Sequence, residues 1–263
     1  MSDSEPPLGP WSMPSAETEA PYPAPPPVQA KASPLNEIVW GLISTALLAA
    51  WIGWQAGWVW AVAGVVGVFV HEYGHVLAMN ALGAGPGRIR IIPFLGGAAT
   101  MAQPPDSQFK GVLISLAGPT FGLIAAIPFI LLARYDNPIW LGGAFFVGII
   151  NLINLAPAPP LDGSKVLGPA LARISPMLER VALVLVGAAA VYWAILTGNW
   201  LFGAFVGIAT LGALRTGVPR FVARPLTGPE LAAAIGLWLV ALALCGAVVL
   251  ATAGHGLLLG SRS

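Results

Sequence analysis

Charged residues are scarce in this chain: Asp, Glu, Lys and Arg make up 9% of its 263 residues, against about 25% in soluble globular domains. Hydrophobic residues reach 57% and the mean hydropathy is +0.80. Because so few polar side chains cannot cover a water-exposed surface, the composition argues against a soluble domain. It predicts a polytopic membrane protein instead.

Cysteine is nearly absent as well. The only one, Cys245, excludes an intrachain disulfide framework. It lies inside an apolar run, where a lone cysteine is expected to be a small buried side chain. The net charge of +1 gives no indication of nucleic-acid binding, and no nucleic-acid partner is expected.

The chain contains several long apolar segments. Seven candidates predict an all-α fold with six to seven transmembrane helices, since the sixth run is short. The membrane domain is expected at 37–254, with a short tail at 255–263. Residues 1–36 hold ten of the 25 prolines and predict a disordered Pro-rich tail. The runs lie near 37–54, 57–81, 111–133, 138–155, 180–197, 199–214 and 230–252.

Lysine and arginine are distributed unevenly between the two sides of this topology. If the tail at 1–36 is cytoplasmic, ten of the twelve basic residues lie on that side and only Arg134 and Arg262 lie opposite. This positive-inside asymmetry predicts a cytoplasmic N-terminus. The expected location is a prokaryotic cell (inner) membrane.

The segment between the second and third runs differs from its surroundings. The alternation Arg88-Ile89-Arg90-Ile91, followed by the pair Gly96-Gly97, predicts a short re-entrant β-hairpin or loop. A plain amphipathic loop is the alternative.

Ionisable residues inside a membrane-length segment are costly and suggest a function. The second run contains three within one turn, in His71-Glu72-Tyr73-Gly74-His75. On a helix, His71 and His75 lie on one face and can present two nitrogens to one metal ion. Glu72 is offset around the helix, where it can act as a general base, as in the H-E-x-x-H pattern of zinc hydrolases. The alternative is a pair of hydrogen-bonded histidines near a helix end.

A catalytic zinc usually has a third protein ligand. The remaining histidine, His255, is expected in a terminal loop, and most acidic residues fall in tails or loops. Asp162 stands apart, because it follows the fourth apolar run directly, in a segment rich in proline. The predicted topology puts it at the same depth as His71 and His75, in the cytoplasmic half of the membrane.

Two motifs together make the sequence resemble the site-2 proteases, intramembrane zinc metalloproteases that cut other membrane proteins. The resemblance covers about residues 57–168, the expected catalytic core. It suggests a compact type without a PDZ or CBS domain, since only spans and short loops separate the motifs. The residues that carry it are His71-Glu72-Tyr73-Gly74-His75, and Asn154 with Pro157, Pro159, Pro160 and Leu161-Asp162-Gly163.

The resemblance implies roles for individual residues. One Zn²⁺ per chain is held by His71, His75 and Asp162, and Glu72 is the general base. Asn154 braces the proline-rich segment or binds the substrate backbone. The strand-like loop with Gly96 and Gly97 holds an unwound substrate by edge pairing.

The third run departs from the family pattern. Family members often have Asn three residues after Gly118-Pro119, and this chain has Gly122 there. The departure puts in doubt a supporting polar contact from this position. Asn151 matches no family position and is expected to make an interhelical hydrogen bond. Gly163 is expected to permit a turn after Asp162.

The implied function is regulated intramembrane proteolysis by a zinc endopeptidase. The implied partners are a transmembrane protein substrate and the lipid bilayer, and a homo-oligomer is left open. The alternative is a catalytically silent membrane chaperone or binding protein of the same fold, which loss of Glu72 or of a ligand would favour. A metal transporter would need several polar stations along a path, and the runs offer essentially one.

Overall fold

The computed structural model describes residues 34–92, 96–198, 200–216 and 223–259. Most of the predicted disordered tail therefore lies outside the described residues. Within these ranges the chain forms eight helices and one two-stranded sheet. The elements are α1 (Pro34–Ala56), α2 (Trp58–Ala81), β1 (Arg88–Ile92), β2 (Gly96–Thr100), α3 (Gln108–Tyr135), α4 (Trp140–Asn154), α5 (Asp162–Ile174), α6 (Pro176–Thr197), α7 (Trp200–Thr216) and α8 (Gly228–Leu259).

Five of these helices, α1, α2, α3, α6 and α8, are long and apolar enough to cross a membrane, and α4 and α7 are shorter apolar helices. The fold is thus an all-α polytopic membrane protein, as the composition predicts. Helix α8 ends at Leu259, five residues beyond the boundary expected at 254. Position 255, expected in a terminal loop, is therefore helical.

Two pairs of helices form the antiparallel hairpins that the short connections predict. A single residue, Gly57, joins α1 to α2 with φ of 96°, a left-handed backbone that favours glycine. Gly198 ends α6 with φ of 72°. In the second hairpin Gly187 faces Thr210 while Gly203 faces Ala194, so the two helices run in opposite directions.

Helix α5 is the one element that the sequence analysis did not predict. It has 13 residues, about 20 Å at 1.5 Å per residue, which is too short to cross a hydrocarbon core of about 30 Å. Asp162 is its first residue and not part of a loop.

A proline-rich segment separates α4 from α5. Helix α4 ends at Asn154 and has 15 residues, about 22 Å, less than a full crossing. Pro157, Pro159 and Pro160 follow, and none of them has a backbone N–H to continue the helix. The chain therefore turns within the bundle and begins α5 there.

The core lies where α3, α4, α5 and α8 meet. One cluster of buried side chains surrounds the proline-rich break and includes Leu155 and Cys245. Cys245 is buried, which confirms the expectation for the lone cysteine. A second cluster lies near the start of α2 and α4, and includes Ala63 and Val147. The remaining members of the first cluster are Val112, Leu116, Val166, Ala234 and Ala241.

The strands confirm the predicted hairpin. β1 and β2 are antiparallel, and Arg88 pairs with Thr100 at one end of the register while Ile92 pairs with Gly96 at the other. Gly97 pairs with Ile91. The two glycines thus lie in β2 itself.

The segment before α8 fixes the start of that helix to α3. Gln108 N–H donates to the carbonyl of Arg224 (2.9 Å), and Arg224 N–H donates to the carbonyl of Asp106 (3.0 Å). The Arg224 guanidinium donates two hydrogen bonds to Glu230, of 3.0 and 2.6 Å. The same carboxylate accepts from Thr227 N–H at 2.8 Å, so it caps α8.

Candidate metal centre

Three side chains from two helices converge on one point. Nε2 of His71 lies 2.9 Å from Oδ2 of Asp162, and Nε2 of His75 lies 3.0 Å from the same oxygen. The two Nε2 atoms are 3.1 Å apart. All three residues are buried, with exposed fractions of 3%, 6% and 5% for His71, His75 and Asp162.

The hydrogen bonds of the two Nδ1 atoms, which point away from Asp162, determine the tautomer of each imidazole. Asn151 donates its amide Nδ2–H to the carbonyl of Val147 (2.8 Å), so its Oδ1 faces His71. That oxygen can only accept, and it lies 2.8 Å from Nδ1 of His71, which must therefore carry the proton. Nδ1 of His75 is likewise protonated, because it lies 2.7 Å from the carbonyl of Ile114.

The inner nitrogens are then lone-pair donors. With Nδ1 protonated in each neutral ring, both Nε2 atoms point unprotonated lone pairs at Oδ2 of Asp162. Three electron-rich atoms within 3.1 Å of one another repel unless a cation or a proton lies between them. The donor set and its second-layer hydrogen bonds fit a metal ion.

The separations can be compared with those of a tetrahedral site. Bonds of about 2.0–2.1 Å at tetrahedral angles place neighbouring donors roughly 3.3 Å apart. The observed 2.9, 3.0 and 3.1 Å are close to this spacing. Two imidazoles and one carboxylate are also ligand types that zinc takes in proteins, and a catalytic site keeps its fourth position open.

Asp162 is held at the break between α4 and α5. Its Oδ2 faces the histidines, while Oδ1 accepts from Nζ of Lys165, 3.3 Å away and one turn further along α5. Lys165 therefore leaves a single carboxylate oxygen to face the site. Lys165 was not predicted as a site residue, although it follows Asp162 by three residues, a spacing that places the two side chains on one helix face.

Gly163 serves close packing, and the expectation that it permits a turn is wrong. It is the second residue of α5, and its backbone lies directly against the carbonyl of Leu155. A Cβ at this position would overlap the carbonyl of Leu155 and approach that of Ala156 within 2.5 Å. Gly163 thus lets the start of α5 lie directly on the end of α4.

Gly118 of α3 lies against both imidazoles. A Cβ there would overlap Nε2 of His75 and come within 2.7 Å of Nε2 of His71. Gly74 makes the reciprocal approach from α2, since its Cβ would come within 2.6 Å of the carbonyl of Ala117. Small residues therefore let α2 and α3 pack closely at the site.

Gly122 replaces the Asn that family members often have at this position, and Asn151 of α4 supplies a polar contact to His71 instead. A Cβ at Gly122 would overlap the amide of Asn151. The absence of a side chain on α3 thus makes room for Asn151 of α4, which is fully buried and bonded to His71. The predicted interhelical hydrogen bond of Asn151 is confirmed, and its partner is a candidate ligand.

Glu72 follows His71 on α2 and is 8% exposed. A carboxylate buried in a membrane-length helix is costly and suggests a function, and Glu72 adjoins the ligand candidate His71 in the sequence. Its role as a base stays a prediction at this point.

The other residues singled out in the sequence are not among the three converging donors. Asn154 is half-buried and donates to the carbonyl of Ile150 (3.1 Å) in its own helix. Gly96 and Gly97 lie in β2, beyond the end of α2. Their roles toward substrate stay predictions.

A family model described as Peptidase M50B-like matches residues 42–159. The matched segment includes α2 with His71, Glu72 and His75, together with α3 and α4, and it ends three residues before Asp162. Neither a curated protein nor a solved structure matches the chain.

Proposed function

We propose that this chain, whose residues 42–159 match the Peptidase M50B-like family model, is a member of the site-2 protease family and an intramembrane zinc endopeptidase. It cleaves transmembrane segments of other membrane proteins. The integral membrane fold and the buried group of His71, His75 and Asp162 support this proposal.

One observation carries the proposal furthest. The unprotonated Nε2 atoms of His71 and His75 and one oxygen of Asp162 point at the same position. Each imidazole is oriented from behind by an acceptor, the amide oxygen of Asn151 or the carbonyl of Ile114. This layered arrangement is typical of metal sites and raises the basicity of the ligating nitrogens.

The three side chains would hold Zn²⁺, which when bound lowers the pKa of water and polarises a carbonyl oxygen. The work of the chain is to orient these ligands. Asn151 and Ile114 orient the two rings, and Lys165 donates a weak hydrogen bond to Oδ1 of Asp162.

Glu72 moves the proton in the proposed reaction. The oxygen of a water molecule forms the new bond to the scissile carbonyl carbon, and the carboxylate of Glu72 accepts the proton that this water loses. The peptide C–N bond then breaks, and Glu72 passes that proton to the departing amine nitrogen. One peptide bond and one water are consumed, and a carboxylate end and an amine end are released.

The proposed substrate class, a transmembrane helix of another protein, is the one that the family resemblance implies, and the buried position of the site is consistent with it. A transmembrane helix must unwind before its peptide bonds can be attacked, and its freed backbone groups need partners in a low-dielectric environment. We assign this task to the β1–β2 hairpin, whose strand β2 contains Gly96 and Gly97. Asn154 would contact the substrate backbone. The site faces the cytoplasmic half of a prokaryotic cell membrane, and the N-terminus is cytoplasmic.

Metal analysis of purified variants tests the proposal. Wild-type protein and Glu72→Gln should each contain about one zinc per chain, because Glu72 is not a ligand in this account. Asp162→Ala and His71→Ala should contain far less. Equal zinc in all four proteins, or none in the wild type after zinc loading, would overturn the proposed site.

A further inference from the structure

The break after α4 leaves a backbone carbonyl without its usual partner. In a continuing helix the carbonyl of Leu155 would accept from the N–H of residue 159. That residue is Pro159, which has no N–H. Neighbouring carbonyls find local donors: that of Ile153 accepts from Ala156 (2.9 Å), and that of Ala156 accepts from Ala158 (2.8 Å).

The donor for Leu155 comes from a distant helix. Nε1–H of Trp238 in α8 donates to the carbonyl of Leu155 at 2.9 Å. Leu155 is fully buried, and Trp238 packs against the same apolar cluster. A buried backbone carbonyl at membrane depth is costly when unpaired, so this contact holds the break in one conformation.

The same peptide group contacts the start of α5. The carbonyl of Leu155 lies so close to Gly163 that a Cβ there would overlap it. Gly163 directly follows Asp162. The Leu155 carbonyl is thus held by Trp238 and packed against the residue that follows Asp162, so a shift of that carbonyl displaces the carboxylate relative to His71 and His75.

We propose that Trp238 is a positioning residue for the metal centre: its indole N–H fixes the Leu155 carbonyl, and through the Leu155–Gly163 contact it fixes Asp162. Trp238 lies in α8, outside the matched segment at 42–159. Helix α8 is thereby a functional part of the site. The inference rests on the proposed zinc site and adds a residue that acts on it from a distance.

The test compares zinc affinity and cobalt spectra. Trp238→Phe keeps an aromatic ring and removes the N–H. The dissociation constant for Zn²⁺ should rise about tenfold or more, as when other residues that support metal ligands are replaced. It is measured on the full chain in detergent, by competition with a chromophoric chelator. The visible absorption of the Co²⁺-loaded variant should also change, because the coordination geometry changes.

A second substitution separates the hydrogen bond from ring packing. Benzothienylalanine at position 238 keeps the bicyclic ring and replaces the N–H by sulfur. It should weaken zinc binding to a similar degree. If this variant binds zinc like the wild type, Trp238 acts only by packing and the inference is wrong.

A matched control is available on α4. Nε1–H of Trp140 donates to Oδ2 of Asp136 at 3.0 Å, at the end of α4 away from Asp162. Trp140→Phe removes an indole hydrogen bond of similar length and should leave the zinc affinity within about twofold and the Co²⁺ spectrum unchanged. An equal loss of zinc affinity in both Phe variants would attribute the effect to general destabilisation.

The outcomes distinguish this inference from the proposed function. If wild-type protein binds zinc and His71→Ala does not, the proposed site stands. Unchanged zinc affinity and an unchanged Co²⁺ spectrum in both position-238 variants would then refute the role of Trp238 alone. If wild-type protein binds no zinc at this site, both proposals fail.

Discussion

The amide oxygen of Asn151 lies 2.8 Å from Nδ1 of His71. Through this bond a residue of α4 determines which ring nitrogen of His71, on α2, carries the proton. The free Nε2 then faces Asp162. The site therefore depends on the packing of α2 against α4 as much as on the spacing of two histidines along one helix.

Asn151→Leu should weaken zinc binding about 10- to 100-fold. Leucine has a similar volume but cannot accept from Nδ1 of His71, so the ring loses both its orientation and its fixed tautomer. Chelator competition measures the change. Asn154→Leu is the matched control, since Asn154 donates to Ile150 in its own helix and should leave zinc affinity unchanged. A larger loss for Asn154→Leu than for Asn151→Leu would contradict this assignment.

Gly118→Ala should abolish or strongly reduce zinc binding, because the added methyl group would overlap His75 Nε2 and crowd His71. Overpacking of this kind costs about 1–3 kcal/mol of stability. Thermal unfolding and metal content give the two readouts. In Gly111→Ala, on the same helix, the new Cβ meets only Pro105 at 3.8 Å, so zinc content should stay normal. Normal zinc content in Gly118→Ala would contradict the close approach of Gly118 to the two imidazoles.

Gly163→Ala should move the start of α5 away from Leu155 and carry Asp162 with it. We expect a zinc dissociation constant raised at least about tenfold, as when a ligand loses its support. Gly236→Ala, in α8, places its Cβ in open space and serves as the control. The prediction fails if both alanine variants bind zinc with the affinity of the wild type.

Lys165→Met should have a small effect. The side chain of Lys165 is 55% exposed, and exposed ion pairs contribute about 0–1 kcal/mol, which corresponds to at most about a fivefold loss of zinc affinity. Lys110→Met breaks a similar exposed pair with Asp106 (2.7 Å) outside the site and should cause no loss. A loss above a hundredfold for Lys165→Met would mean that Lys165 does more than orient Asp162.

Much of the fold was accessible to sequence reasoning because hydrophobic segments of membrane length stand out by composition alone. The boundaries of α2 agree with the predicted run at 57–81 within a few residues. The β-hairpin was visible in the alternation from Arg88 to Ile91.

Helix α5 was not predicted because it is amphipathic and short, and because Asp162-Gly163 has the composition of a turn. A signal was present: Asp162, Val166 and Ala170 recur at intervals of four and form its buried face. A search for membrane-length apolar runs passes over such a helix.

The supporting residues of the site could not be identified from sequence, for a different reason. Pairing Asn151 with His71, or Trp238 with Leu155, requires the relative depth and rotation of separate helices. Charge placement fixes which end of a helix faces which side, but not its register to within one residue. The two histidines, by contrast, share one helix and were visible by spacing alone.

The central claim is tested most directly by cleavage of a single-span membrane protein in proteoliposomes, using a substrate captured with Glu72→Gln. Zinc-loaded wild-type protein should cut within the transmembrane segment. Glu72→Gln, with the same zinc content, should be slower by at least about a hundredfold, the usual contribution of a general base. Cleavage by Glu72→Gln at the wild-type rate would contradict the account.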